Sequence, residues 1–152
     1  MKLNTLFVQI LKELNAIFPE LKPLTEIYAA PKITWVSLQR PIELQVAEAG
    51  TVLEFRDGSL RSEQVRIVIG IFRQLRKDYE SRHVEALTEA SLSIFNLRDR
   101  IVSGLDGSFL NNLITRPLML TDESGAIDNE KFPGVLVKEM VFVLGVNTRA
   151  GS

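Results

Sequence analysis

His83 is the one side chain in this sequence whose ordinary pKa, ~6.5, lies near neutrality and suits a general base. It sits in Tyr79-Glu80-Ser81-Arg82-His83, with a hydroxyl and a carboxylate close by in sequence. A serine–histidine–acid triad is assembled across a fold, however, and not along a single helical turn. The reading is a histidine at the start of a helix, and His83→Gln is expected to leave function intact apart from a small change in stability. There is no second imidazole and no cysteine, so disulfides, thiolate zinc sites and a cysteine nucleophile drop out together.

Oxygen ligands are more plentiful. Asp122, Glu123, Asp128 and Glu130 fall within TDESGAIDNEKFPG and suggest calcium at first sight. An EF-hand needs alternating ligands, a glycine at the sixth position and a glutamate at the twelfth, and this spacing misses that pattern. The stretch reads instead as a solvated loop between two strands. Glu20-Leu21-Lys22 matches the Glu-x-Lys tripeptide of metal-dependent nucleases, but it lies between Pro19 and Pro23, where only Glu13 precedes it. Phosphate-cradling glycine motifs and a Gly-x-Ser-x-Gly elbow are absent from the sequence. Arg73, Arg76 and Lys77, with Arg98 and Arg100, lack interleaved aromatics and read as solvated ends of elements, not a nucleic-acid track. No catalytic, cofactor-binding or metal residue is assigned, no cofactor is expected, and the chain is not expected to be an enzyme.

Composition is that of an ordinary soluble globular protein. The chain has 152 residues, 45 % hydrophobic and 24 % charged, enough for one domain over residues 1–152. Its 18 basic and 19 acidic side chains nearly cancel, so no overall field invites nucleic acid or an anionic membrane. MKLNTLFVQILKELNAIF resembles a targeting segment only until Gln9, Lys12, Glu13 and Asn15 interrupt it. No stretch reaches the ~20 apolar residues of a membrane span, and the expectation is a cytoplasmic protein.

The elements follow from periodicity. Leu3, Leu6, Phe7, Ile10, Leu11, Leu14, Ile17 and Phe18 recur at helical spacing, with Asn4 as the expected cap and Pro19 as the stop. Residues 33–38 and 42–47 read as strands; in the second, Glu43 and Gln45 alternate with Ile42, Leu44 and Val46 and are expected on a wet face. Residues 52–55 offer a further strand, and the polar run 56–64 around Asp57-Gly58 reads as a turn or extended loop. Residues 65–75 and 135–146 are strands apolar on both faces, which belong at the centre of a sheet. One long helix is expected from about Val84 to Leu105. Its inner stripe would be Val84, Leu87, Ser91, Ile94, Ile101 and Leu105, flanked by Phe95 and Val102, with Glu85, Glu89, Ser93, Asn96 and Arg100 in water. Gly104 and Gly107 supply its stop.

These elements describe an α+β domain: a mixed or antiparallel sheet of four to five strands packed against two main helices, with long loops near 48–64 and 121–134. Two helices can cover one face of such a sheet, and an apolar face left bare is a partner surface. The two loops hold the candidate interface residues Arg56, Asp57, Arg61 and Glu63, and Asp122, Glu123, Asp128, Glu130 and Lys131. They are expected to become ordered on assembly.

The order of elements, the core VRIVIGIFRQLRKDYESRHVEALTEASLSIFNLRDRIVSGL and the closing VLVKEMVFVLGV together resemble the small tail-terminator and head–tail completion proteins of long-tailed bacteriophages and prophages. The resemblance spans about Leu3 to Asn147 and brings no invariant site residues with it. It implies a virion structural protein: a ring of like subunits, typically six, that caps the tail tube and joins it to the head. The implied partners are further copies of the chain, the tail-tube protein and a head-completion or neck protein. Its place would be the virion, and the host cytoplasm during assembly. The alternative is a cellular α+β ligand- or protein-binding module without catalysis.

Overall fold

Helix α1 covers Leu3–Ile17 and buries Leu6, Phe7, Ile10 and Leu14 along one stripe, while Leu3 stays 42 % exposed. The structure, a computed structural model, describes residues 2–28, 42–74, 92–128 and 134–149. His83, Glu130, Lys131 and the expected strand at 33–38 lie outside the described residues. The N-cap of α1 is Lys2 and not Asn4: helical geometry begins one residue before Asn4, whose side chain therefore cannot cap it. At the other end Phe18 is the C-cap, its N–H donating to the Leu14 carbonyl, and Pro19 follows. Arg100 donates to the Ile17 carbonyl at 2.6 Å and to Glu20 at 2.8 Å, and its guanidinium lies 4.5 Å from the centre of the Phe18 ring. It is thus no solvated end: it satisfies a carbonyl that the end of α1 leaves without a helical partner.

Helix α2 covers Ile94–Leu105, and here the sequence reading needs correction. Ser93 is extended (φ −68°, ψ 157°), and its hydroxyl accepts from the Asn96 N–H at 3.2 Å, so the helix starts afresh at Ile94 and does not run through from Val84. Ser93 is fully buried rather than in water. The inner stripe is Ile94, Leu97, Ile101 and Leu105, which adds Leu97 to the expected set. Gly107, at φ +79°, follows the Asp106 C-cap as a left-handed stop. Gly104 serves a different purpose, because a Cβ there would run into the Ile17 side chain where α2 passes α1.

Among the described residues the sheet is mixed and has six strands, one more than the upper expectation: β1 Ile27–Tyr28, β2 Ile42–Asp57, β3 Leu60–Gln74, β4 Met119–Glu123, β5 Ile127–Asp128 and β6 Val135–Arg149. The order is β1-β2-β3-β6-β4, with β5 also on β6, and β1–β2 is its parallel pair. The two strands apolar on both faces, β3 and β6, sit side by side at the centre in unbroken antiparallel register from Leu60↔Arg149 to Gln74↔Val135. The expected loop at 48–64 is instead a hairpin. β2 and β3 pair from Ile42↔Arg73 to Asp57↔Leu60, joined by Gly58-Ser59 with Gly58 at φ +57°. Register shifts at Glu48/Thr51 and Leu53/Phe55 interrupt it. Gly50 (φ +99°) stands in the first, its N–H donating to the Glu48 carboxylate at 2.6 Å. Each extra residue resets which face the following side chains take, so strict alternation fails along a strand that is continuous in space. The loop expected at 121–134 likewise contains the end of β4 and all of β5.

Both helices pack on one face of the sheet. Val65, Ile67, Ile69 and Ile71 of β3 and Met140, Phe142 and Leu144 of β6 share a core with the stripes of α1 and α2. On the opposite face Gln45, Ala47, Phe72 and Val135 are buried, and Val68, Val137 and Val141 are half-buried. That face is therefore neither wet at Gln45 nor fully bare, as alternation and helix counting had suggested.

Candidate functional site

Beyond the helix-covered core, β2 and β3 continue as an arm. Every described side chain from residue 51 to residue 61 is exposed. Val52 and Leu53 point to opposite faces of β2 and are 49 % and 53 % exposed, so neither face of the arm is covered at this level. The end of β6 lends a third strand, pairing Leu144 to Arg149 with Val65 to Leu60. Three strands are what such an extension needs to persist without a core of its own. Arg116 braces it, approaching Glu54 at 3.5 Å and donating to the Ser62 hydroxyl at 3.2 Å. Gly145 makes room for that brace, because a Cβ there would meet the Arg116 guanidinium.

Four of the candidate interface residues lie on this arm. Arg56 and Arg61 are directly opposed across the hairpin, an arrangement of like charges that destabilises a sheet unless something anionic relieves it. Glu63 partly does so, at 3.3 Å from Arg61, while Asp57 opens the turn opposite Leu60. The second set is not brought together with the first. Asp122 is exposed and pairs with Val141. Asp128 pairs through its backbone with Leu136. Glu123 is committed inside the subunit: Arg98 grips both its oxygens at 2.7 Å, and Lys138 lies 3.6 Å away. Hydrogen bonds from Arg98, and then the Lys138 charge, hold this carboxyl below the usual carboxylate range despite partial burial. Glu123 therefore ties β4 to α2 within the subunit, and Arg98 is not a solvated end. Among the described residues no three His, Asp or Glu side chains gather as metal ligands would.

Two features had no sequence expectation. A pocket of about 150 Å³ opens between the end of α1, residues 21–28 and the start of β2. Its walls combine apolar side chains, Leu14, Phe18, Leu21, Leu24, Ile42 and Leu44, with as much polar surface from Asn15, Lys22, Thr25, Glu26, Tyr28 and Glu43. Asn15 holds the covering segment by a two-way clamp, donating to the Leu24 carbonyl at 3.1 Å and accepting from its N–H at 2.7 Å. Burial, with Glu43 and Glu26 nearby, raises the Tyr28 pKa, so the phenol stays a neutral donor. Asn15 was the available signal, a polar residue among the apolar positions of α1.

The second feature follows α2. Leu110, Asn111 and Asn112 have φ of 49°, 57° and 63°, three consecutive residues in the left-handed region. Each L-residue there costs roughly 1–2 kcal/mol, less for asparagine, so the turn must be held by its surroundings. Leu110 is fully buried, the Ser108 hydroxyl accepts from its N–H at 3.0 Å, and Leu118 and Ser108 are bonded through the backbone at 2.8 Å. The turn leaves Phe109 46 % exposed. Asn111-Asn112 was the sequence signal, since asparagine tolerates this geometry best after glycine. No protein-family model and no curated protein matches this chain.

Proposed function

We propose that the protein is a non-catalytic structural component of a long-tailed phage or prophage virion. In this reading it is a tail terminator that forms a ring, hexameric by analogy, at the head-proximal end of the tail and joins it to the head. Its partners are its own copies, the tail-tube protein and a head-completion or neck protein. The supporting observation is the arm, a three-stranded extension with apolar residues exposed on both faces and two arginines opposed near its tip. An isolated subunit gains little from such a projection; an assembly buries it. The α+β architecture agrees with the elements on which the resemblance rests.

Deletion of the gene tests the reading. Electron micrographs should show tails of uncontrolled length that fail to join heads, and normal tails of normal length joined to heads would remove this function. The second reading, a cellular ligand- or protein-binding module without catalysis, is favoured by the pocket beside Tyr28. A normal virion together with a small molecule retained in that pocket would select it.

A further inference from the structure

The pocket between the end of α1 and the start of β2 has two unlike ends. Tyr28 pairs with Ala47, and Glu43 alternates with Ile42 and Leu44 along β2, so Tyr28 and Glu43 stand on the sheet face turned away from the helices. Both are half-buried. Glu26 is hydrogen-bonded to the Tyr28 hydroxyl, and the Glu43 charge acts on the same phenol. At the other end Leu14, Phe18, Ile42 and Leu44 belong to the core that the helices cover. Asn15 is occupied at both ends of its amide by Leu24. Lys22 also borders the pocket, but the charges that act on Tyr28 are those of Glu43 and Glu26. We propose that this pocket binds a small amphipathic cation, a primary ammonium group on a short apolar chain. The ammonium sits among Glu43, Glu26 and Tyr28, and the chain lies against Leu14, Phe18 and Ile42.

The chemistry of the two ends matches such a ligand. A pocket of about 150 Å³ takes roughly six non-hydrogen atoms, the size of a benzene ring. An ammonium group has three N–H donors, and two carboxylates and a phenol oxygen offer three acceptors. Burial, then Glu43 and Glu26, keeps the phenol protonated, so its one proton goes to Glu26 and its lone pairs remain for the ligand. Glu43 is shielded in part from water, where a charge-assisted hydrogen bond is stronger than on open surface. An anionic ligand would meet two like charges at this end, and a neutral one would gain no charge attraction. Such a site goes beyond the virion role and does not depend on it. Tail length after deletion of the gene tests the one, and titration of the purified protein tests the other.

The experiment titrates the isotope-labelled full chain with 3-methylbutylamine, 3-methylbutanol or 3-methylbutanoate at neutral pH and constant ionic strength. The three probes share one apolar body and differ in the head group. Amide shifts are followed by nuclear magnetic resonance. The amine should shift residues 14–28 and 42–44 saturably, with a Kd on the order of 1 mM. The alcohol should bind at least about tenfold more weakly, and the carboxylate should leave these residues unmoved. Glu43→Gln should weaken the amine about tenfold, leave the alcohol as it was and keep the circular dichroism of the wild type. Tyr28→Phe, which keeps the ring and removes one acceptor, should weaken the amine about threefold. Equal affinity for amine and alcohol, shifts centred outside the pocket, no saturable shift, or undiminished amine binding by Glu43→Gln overturns the assignment.

Discussion

Replacing Glu123 by glutamine keeps the shape of the side chain and removes its charge, which isolates what the carboxylate does between β4 and α2. Arg98 makes two bonds of 2.7 Å to it, and Lys138 stands at 3.6 Å. A charge-assisted hydrogen bond contributes about 1.5–3 kcal/mol when well shielded. The Glu123 and Arg98 side chains are 24 % and 31 % exposed, so water screens part of that. The pair together is then expected to contribute about 1–2 kcal/mol. For a domain of this size that lowers Tm by roughly 2–8 °C. The carboxyl is held below its ordinary range in the folded protein, so its contribution is full above the unfolded pKa and lost as the pH falls through the lowered folded one. Urea denaturation of wild type and Glu123→Gln should therefore differ near neutrality and converge as the pH falls through the lowered range of the carboxyl. Equal stability near neutrality, or a difference that persists unchanged in acid, would refute the reasoning and return Glu123 to the candidate interface.

Ser93→Ala removes the α2 cap at a fully buried position and should cost about 1–2 kcal/mol in chemical denaturation; no loss would mean that the helix starts elsewhere. Phe142→Ala empties the centre of the core and should cost about 3–5 kcal/mol, enough to leave much of the protein unfolded on warming. Gly145→Ala displaces the far end of a flexible arginine, so global stability should fall by less than about 1 kcal/mol. Hydrogen exchange in the arm at residues 52–57 should nonetheless rise as the Arg116 brace loosens, and unchanged exchange would show that the brace is idle. In the wild-type protein, residues 51–61 should be only weakly protected in the isolated subunit and become strongly protected on assembly; equal protection in both states argues against an interface role for the arm.

Local pattern decided what local pattern can decide. Apolar spacing along residues 3–18 specified α1 and its inner stripe, because a helix buries whatever recurs every three or four residues, and Pro19 marked its end. Residues apolar on both faces specified β3 and β6 as central strands, because only a central strand buries both its sides; that they are neighbours emerged from the structure. Other features depend on groups distant in sequence. The bulges at 48–51 and 53–55 broke the alternation of β2, so a continuous hairpin read as fragments and a loop. Ser93 looked like a water-facing helical residue until the fold buried it and turned its hydroxyl to the Asn96 N–H. Glu123 became structural only because α2 brings Arg98 to it across 25 positions of sequence. The pocket and the left-handed turn likewise arise where separate elements meet. The sequence by itself determined which residues seek burial and with what period; tertiary structure decided which polar groups meet and which apolar ones stay in water, because both depend on contacts that no local spacing contains.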